Sequence, residues 1–148
     1  MASLTKYTPA FKLQVLEIFD SNVPDFFEVF ERELFLDFLI KESENYFVLK
    51  EKAKIIGAGG YWPEAEAEAR ICWLMVHRNS HSRGFGAIMM NKFEELIIAE
   101  RKYTKITLKT VQKTDQFYEK LGYTTTYFEK DHWAKGLDLY FMEKSINS

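Results

Sequence analysis

The chain has 148 residues, 47% of them hydrophobic and 16% aromatic, which is enough for a sizeable core in one domain spanning residues 1–148. A net charge of −2 argues against nucleic-acid binding, which favours a basic stripe. One cysteine excludes an internal disulfide and a cysteine-based metal site, and no signal peptide or membrane span is apparent. We therefore expect a soluble cytoplasmic domain without a metal, a membrane partner or a nucleic-acid partner.

Two helices are predicted first along the chain. The earlier one begins with Thr8 as its N-cap and Pro9 in its first turn. Its apolar side has helical spacing and consists of Phe11, Val15, Ile18 and Phe19. The stretch 21–25 breaks this helix, and a second helix is predicted from about Asp25. One side of that helix carries Phe26, Phe27, Phe30, Leu34 and Phe38.

Strands and two further helices follow. Strands are predicted at 46–50 and 54–62, joined as a hairpin, and at 69–77 after an acidic connection. A helix of about 15 residues then begins at Phe85. The last elements are a strand at 105–110, a short helix at 114–122 that Gly122 terminates, and strands at 123–130 and 137–144. The central strand–helix–strand unit predicts a parallel pair in an otherwise antiparallel sheet, hence an α/β fold.

Two glycines, Gly84 and Gly86, separate the apolar run 72–76 from the helix that follows. Glycines at a helix start let a phosphate approach unpaired backbone N–H groups, and Arg78 and Arg83 add positive charge. A tight strand-to-helix turn would use the same glycines for geometry alone. A dinucleotide fingerprint fits poorly because its third glycine is missing, and an ATP-binding P-loop lacks its Lys followed by Ser or Thr.

Two motifs resemble those of the GNAT superfamily of acetyl-CoA-dependent N-acetyltransferases. "WLMVHRNSHSRGFGAIMM" is similar to the family's pyrophosphate motif, in which a strand and a short loop precede Q/R-x-x-G-x-G/A at the start of a helix. His81 stands where Gln or Arg is usual, and Ser82 stands where many members have another glycine. Gly84 and Gly86 fill the two small positions. "FYEKLGY" (117–123) is similar to the helix-to-strand signature "LYEKLGF", at the right distance along the chain.

The resemblance implies the GNAT fold, a mixed central sheet flanked by helices, with a parallel strand pair splayed to hold the pantetheine arm of acetyl-CoA. It implies that Leu74, Met75 and Val76 contact this arm and that a backbone N–H near Val76 polarises the thioester oxygen. The residues implied for the pyrophosphate are Ser82, Arg83, Gly84, Phe85, Gly86 and Ala87. Acetyl-CoA is the expected cosubstrate.

The resemblance also implies a catalytic role for Tyr118. The family's equivalent tyrosine points at the thioester sulfur and acts as general acid toward the leaving thiolate. Reference pKa values near 10 for a phenol and near 8.5 for a thiol make this proton transfer feasible. The alternative is that Tyr118 is an ordinary half-buried aromatic on a short helix.

The sequence does not identify the general base. Glu64, Glu66 and Glu68 would lie on one side of an extended segment, but such a run also fits a solvated hairpin turn. The histidines are interpreted as loop residues and, for His132, as an exposed turn residue without a recognisable partner. Cys72 could be acylated in a ping-pong route, although a lone cysteine in an apolar strand is more often inert core.

The resemblance also implies that the acceptor is a primary amine of a small molecule or of a peptide or protein, attacked directly in a ternary complex. Candidate pocket residues are Asp25, Tyr61, Trp62 and Trp133, unless these aromatics belong to the core. A non-catalytic CoA-binding sensor or scaffold of the same fold is the alternative function. The oligomeric state is open, with a homodimer as one option.

Overall fold

The computed structural model describes residues 2–146, whose strands form one mixed sheet in the order β1-β2-β3-β4-β5-β7-β6. The strands are β1 (Ala2–Lys6), β2 (Tyr46–Glu51), β3 (Lys54–Ala65), β4 (Glu68–Val76), β5 (Lys105–Thr110), β6 (Thr124–Ala134) and β7 (Leu137–Ser145). The α-helices are α1 (Lys12–Ser21), α2 (Glu31–Lys41), α3 (Phe85–Ala99) and α4 (Thr114–Lys120).

One strand pair of the sheet is parallel. Residues 68–70 of β4 are in register with residues 105–107 of β5, and α3 connects the two strands along the chain. A parallel pair needs such a crossover because a hairpin turn cannot join its ends. The pairs β1–β2, β2–β3, β5–β7 and β6–β7 are antiparallel. The predicted α/β fold with one parallel pair is therefore confirmed.

Several strand boundaries differ from the prediction. Strand β1 was not predicted; it is a five-residue edge strand that pairs with β2 from Ala2↔Glu51 to Lys6↔Phe47. Its sequence shows no clear alternation, so only the pairing identifies it. β3 continues to Ala65, and the acidic stretch therefore belongs to the β3–β4 hairpin. β6 extends through most of the predicted turn and leaves residues 135–136 as the turn.

The prediction for the second helix was wrong in two respects, the residue at which the helix begins and the side that faces the core. It begins at Glu31 rather than near Asp25. Phe30 and Leu34 are each 57% exposed, whereas the buried apolar residues of the helix are Phe35, Phe38 and Leu39. Apolar residues occur on both sides of this helix, so periodicity alone did not reveal which side contacts the core.

The first of two compact units comprises residues 2–62 and 72–93. An aromatic cluster, defined here as Phe19, Phe27, Phe35, Phe38, Tyr46 and Trp73, lies in its core. Phe35 is fully buried, and its ring centroid lies 5.5 Å from that of Phe19 and 5.0 Å from that of Trp73. These contacts pack α1 and α2 against the middle of β4.

The second unit comprises residues 63–71 and 94–146. Its buried residues include Met142 of β7 and three consecutive residues of β5, Ile106, Thr107 and Leu108, so this part of β5 is covered on both faces of the sheet. Arg70 crosses the parallel pair, because its Nε donates to Thr107 Oγ1 at 2.7 Å. Helix α4, with the predicted catalytic tyrosine, belongs to this unit.

Candidate active site

The carboxyl end of β4 is held by two side chains of the first unit. Val76 O accepts hydrogen bonds from Asn22 Nδ2 at 3.0 Å and from His81 Nε2 at 2.8 Å. The next backbone N–H, that of His77, donates to Ile56 O of β3 at 2.8 Å. Because successive residues of an extended chain direct their N–H groups to opposite edges, Val76 N–H faces away from β3. A contact between this N–H and a thioester oxygen would have to form on that edge.

His81 occupies the motif position where Gln or Arg is usual. A carbonyl oxygen only accepts hydrogen bonds, so the bond to Val76 O requires the proton on Nε2. Gln and Arg also carry N–H donors, and His81 thus keeps a donor at this position. Its ring contacts Phe26 edge-on, with centroids 5.5 Å apart, which anchors the glycine loop to the segment that follows α1.

Trp73, within β4, has a left-handed backbone with φ 46°, which is uncommon for an aromatic residue. Its carbonyl accepts a hydrogen bond from the hydroxyl of Tyr46 at 2.7 Å, and Tyr46 is fully buried. The Trp73 ring also packs against Phe35 and Phe27. A left-handed residue inside a strand is typical of a β-bulge, and this one lies just before residues 74–76.

The loop before α3 has the backbone geometry of an anion site. Ser82 (φ 65°) and Gly84 (φ 82°) are both left-handed and exposed. Ile88 N donates to Gly84 O at 3.1 Å, so the N–H groups of the residues between them have no intrahelical acceptor. A Cβ on Gly84 would meet no described heavy atom within 4 Å, which leaves the space before this residue open to a ligand. The 15-residue α3 adds the positive end of its dipole.

The charged and aromatic side chains of the motif are engaged elsewhere. Arg83 Nη2 pairs with Glu51 Oε2 at 3.1 Å, and its guanidinium lies 4.8 Å from the centre of the Phe85 ring. Phe85 is itself buried, so only its backbone can face a ligand. Arg78 pairs with the carboxylate of Asp25. The positive character of the loop therefore comes mainly from backbone amides.

Tyr118 lies in the last turn of α4 and is 8% exposed. Its ring contacts Phe117 and Tyr123 edge-on, at centroid distances of 4.9 and 6.1 Å. Burial raises the pKa of the Tyr118 hydroxyl well above its ordinary value, so the phenol is protonated at neutral pH. Among residues 2–146 this hydroxyl makes no hydrogen bond, which leaves its proton available to a ligand.

The three glutamates proposed as bases lie on the β3–β4 hairpin. Glu66 is in the turn, and Glu68 accepts hydrogen bonds from Thr107 Oγ1 at 2.6 Å and Arg70 Nη2 at 3.1 Å. Burial acts to raise the pKa of Glu68, but these two donors outweigh it and hold the pKa below its ordinary value. Glu68 thus has a structural ion-pair role, and the hairpin interpretation of the stretch is confirmed.

The histidines also have partners. His77 Nδ1 accepts from Asn79 N at 3.1 Å and caps the short 3-10 turn of the loop. His132 Nδ1 lies 2.6 Å from Glu129 Oε2, so the expectation that it lacks a partner was wrong. His132 lies in β6 and is exposed, as predicted.

The candidate acceptor residues divide between core and surface. Tyr61 is buried and Trp62 packs against the Phe38 ring, which supports the core alternative for both. Asp25 is exposed beside Arg78. Trp133 is half-buried, and its indole N–H is buried without a hydrogen-bond acceptor among the residues described.

Cys72 packs against the core of the first unit as expected. Burial, and to a smaller extent the charge of Glu42, raises the pKa of its thiol well above the ordinary value. A thiol that resists ionisation is a poor nucleophile, which argues against an acyl-cysteine intermediate.

Sequence reasoning missed two residues that shape the end of β4. Asn22 is 2% exposed and bonds Val76 across 54 positions of sequence, and Tyr46 bonds Trp73 across 27. Neither residue lies in a motif. The only signal for Asn22 was a polar residue directly after an amphipathic helix, which also fits an ordinary helix end.

Comparison with known proteins identifies the family. Residues 13–123 match the model of the acetyltransferase (GNAT) family, and the chain belongs to this family. It is a GNAT acetyltransferase. No curated protein matches the chain significantly in sequence.

Solved structures show the same fold at low sequence identity. Ard1 from Thermoplasma volcanium superposes with a TM-score of 0.82 and 19% identity, covering 99% of both chains. The ribosomal-protein-S18-alanine N-acetyltransferase from Escherichia coli gives 0.82 and 14%, covering 100% of this chain and 96% of its own. An aminoglycoside 6'-N-acetyltransferase complexed with coenzyme A gives 0.79 and 14%, covering 99% and 98%.

Two further observations concern residues 2–146. Their helices are too short or too polar to cross a membrane. Within the same residues, no three His, Cys, Asp or Glu side chains are grouped as a metal site would need.

Proposed function

We propose that this acetyltransferase transfers the acetyl group of acetyl-CoA to a primary amine of a small molecule, peptide or protein by direct attack in a ternary complex. The observation that carries the proposal is the loop before α3. It combines left-handed Ser82 and Gly84 with unpaired amides at the start of a long helix. We assign the diphosphate of acetyl-CoA to the amides of residues 82–87.

The pantetheine arm is assigned to Leu74, Met75 and Val76. Support comes from the left-handed Trp73 that precedes them and from the direction of Val76 N–H away from β3. Hydrogen bonding of the thioester oxygen to this N–H would stabilise negative charge as it develops, an effect of about 3 kcal/mol in comparable sites.

Tyr118 is assigned as the general acid. The amine nitrogen attacks the thioester carbonyl carbon, the C–S bond breaks, and its electron pair goes to sulfur. The Tyr118 hydroxyl gives its proton to that sulfur. The acceptor nitrogen, neutral when it attacks, loses one proton to solvent in forming the amide, and the Tyr118 phenolate regains a proton from solvent before the next turnover. A protonated phenol without another hydrogen-bond partner suits this step. Burial that raises the phenol pKa would raise that of the departing thiol similarly, so the transfer remains feasible.

The test is Tyr118→Phe, with release of CoA thiol as the measure of turnover. We expect kcat to fall on the order of 100-fold, as removal of a general acid commonly gives. CoA affinity by calorimetry should change little, because the proposal assigns the phenol to the thioester sulfur and the phosphates to residues 82–87. The control is Tyr127→Phe, which removes an exposed hydroxyl from β6. Equal losses of turnover and CoA affinity would contradict the acid role, and CoA binding without turnover on any amine would identify a sensor.

A further inference from the structure

The end of α4 fixes the backbone of Tyr118. Gly122 has φ 99°, and its N–H donates to Glu119 O at 3.0 Å. Tyr123 N–H donates to Tyr118 O at 3.1 Å. This pair of bonds defines a Schellman motif, in which Tyr118 is the third residue from the helix end. The contact between the Tyr118 and Tyr123 rings is the apolar contact that accompanies such motifs.

A polar network fastens this helix end to two other elements of the second unit. Lys144 Nζ, on β7, donates to Leu121 O at 2.8 Å and to Glu94 Oε1 at 3.2 Å. Tyr123 Oη donates to Glu94 Oε2 at 2.8 Å. Glu94 lies on α3. Its carboxylate therefore connects α3 with Lys144 of β7 and with Tyr123, the residue whose N–H bonds the Tyr118 carbonyl. All the links are within hydrogen-bond distance, and the residues are at most half-exposed.

The network leaves little freedom at the helix end. A Cβ on Gly122 would lie 3.2 Å from Lys144 Cε, so the lysine stem packs directly over the left-handed residue. Burial, together with the charge of Glu94, raises the pKa of the Tyr123 hydroxyl, which keeps it a donor to that carboxylate. The orientation of the Tyr118 ring is therefore set by Tyr123, and that of Tyr123 by Glu94 and Lys144.

We propose that Glu94 and Lys144 are positioning residues for acetyl transfer, which hold the Tyr118 hydroxyl in the orientation needed to protonate the leaving sulfur. The inference rests on the acid role assigned to Tyr118 above. It goes further by assigning a function to two charged residues outside both family motifs. A loose phenol would still be protonated, but its hydroxyl would spend little time near the sulfur.

A double-mutant cycle tests the inference. Glu94→Gln keeps the size of the side chain but removes the charge that Lys144 contacts, and Tyr123→Phe is a second variant that removes one bond to the carboxylate. We expect each to lower kcat by about tenfold, since small displacements of reacting groups are costly, while CoA affinity changes less than about twofold. In a Tyr118→Phe background both changes should lower kcat by less than about twofold, because there is no hydroxyl left to orient.

Lys105→Met is the matched control. Lys105 also forms an ion pair with a glutamate of β7, Glu143, at 3.4 Å, and it is not part of the Glu94–Lys144 network. Lys105→Met should leave kcat unchanged in each background, equal to that of the unaltered protein when Tyr118 is present and to that of Tyr118→Phe when it is replaced. If Tyr118→Phe lowers kcat but Glu94→Gln lowers it equally in both backgrounds, the positioning role is wrong and the acid role stands. If Tyr118→Phe alone leaves kcat unchanged, the acid role is wrong and the positioning role falls with it.

Discussion

Glu31 shows how burial alters a carboxyl group at the start of a helix. It is the first residue of α2 and is 9% exposed. Burial, with a smaller contribution from the charge of Glu28, raises the pKa of Glu31 to about 7, although a hydrogen bond with the Glu28 backbone opposes the rise. A carboxylate near a helix start is favoured by the dipole, but here the loss of hydration outweighs this gain.

This pKa predicts how stability changes with pH. The folded-state pKa lies above the unfolded value of about 4.3, so the folded protein binds the proton more tightly. The contribution of Glu31 to stability is therefore full below about pH 4 and is lost as pH rises through 7. We expect Glu31→Gln to stabilise the protein by about 1 to 3 kcal/mol at pH 8 and by little at pH 5. Urea unfolding at the two pH values measures this, with exposed Glu33→Gln as control, and equal shifts at both would contradict it.

Gly84 is needed for its conformation rather than for space. Its φ of 82° strains any residue with a Cβ, even though no described atom would clash with that Cβ. We expect Gly84→Val to reduce CoA affinity at least tenfold, because the loop must shift and its amides turn away from the phosphates. Gly136, at the turn between β6 and β7, also has a positive φ and no described atom within 4 Å of an added Cβ. Gly136→Val is therefore the matched control and should leave CoA binding intact. Calorimetry with CoA measures both variants, and unchanged binding by the Gly84 variant would place the phosphates elsewhere.

The irregular strand β4 depends on one buried hydroxyl. Tyr46→Phe would leave the Trp73 carbonyl without its donor, and we expect a loss of about 1 to 3 kcal/mol in the free energy of unfolding. Tyr7→Phe is the matched control, because Tyr7 is also buried and touches the Tyr46 ring, yet its hydroxyl makes no hydrogen bond among the described residues. Denaturant unfolding measures the difference, and equal losses in the two variants would show that the bond contributes nothing.

Elements with a strong local pattern could be predicted, and those set by distant contacts could not. The helix from Phe85 and the stop at Gly122 were predicted correctly because spacing and φ requirements are local. Strand β1 exists through its pairing with β2, which no five-residue pattern reveals. The start of α2 was misplaced because Phe26 and Phe27 continue the helical spacing but lie in the turn before the helix.

The same distinction holds for the candidate site. The glycine loop and Tyr118 are motif residues, and the sequence placed them at a helix start and on a short helix, where the structure has them. Asn22 and Glu94 act through partners that are dozens of positions away. A polar residue at a helix end or on a helix surface has many ordinary explanations, so its chemistry becomes visible only when the partner is known.

The chain passes between its two compact units three times, after residues 62, 71 and 93. All three passages lie inside regular elements, because β3, β4 and α3 each contribute residues to both units. Unfolding one unit would therefore break two strands and a helix that the other unit shares. We propose on this basis that residues 1–148 form a single cooperative domain.

Tryptophan fluorescence tests this cooperativity. Trp62 and Trp73 belong to the first unit and Trp133 to the second, so a Trp133→Phe variant reports on the first unit alone. The double variant Trp62→Phe with Trp73→Phe reports on the second. In each variant we expect the fluorescence transition in urea to coincide with the loss of circular dichroism, as two-state unfolding requires. Separate transitions within one variant would mean that the units unfold independently.

The burial of Cys72 has a practical consequence for enzymology. Turnover releases a free thiol, and Ellman's reagent detects thiolates at neutral to mildly alkaline pH. Cys72 is the sole cysteine of the sequence and is partly buried, and the raised pKa of its thiol disfavours the thiolate with which the reagent reacts, so we expect slow labelling of the native protein. In an assay of the native protein, the colour therefore measures the coenzyme A released. Denaturation exposes one equivalent of thiol per chain, and this signal serves as an internal standard for enzyme concentration.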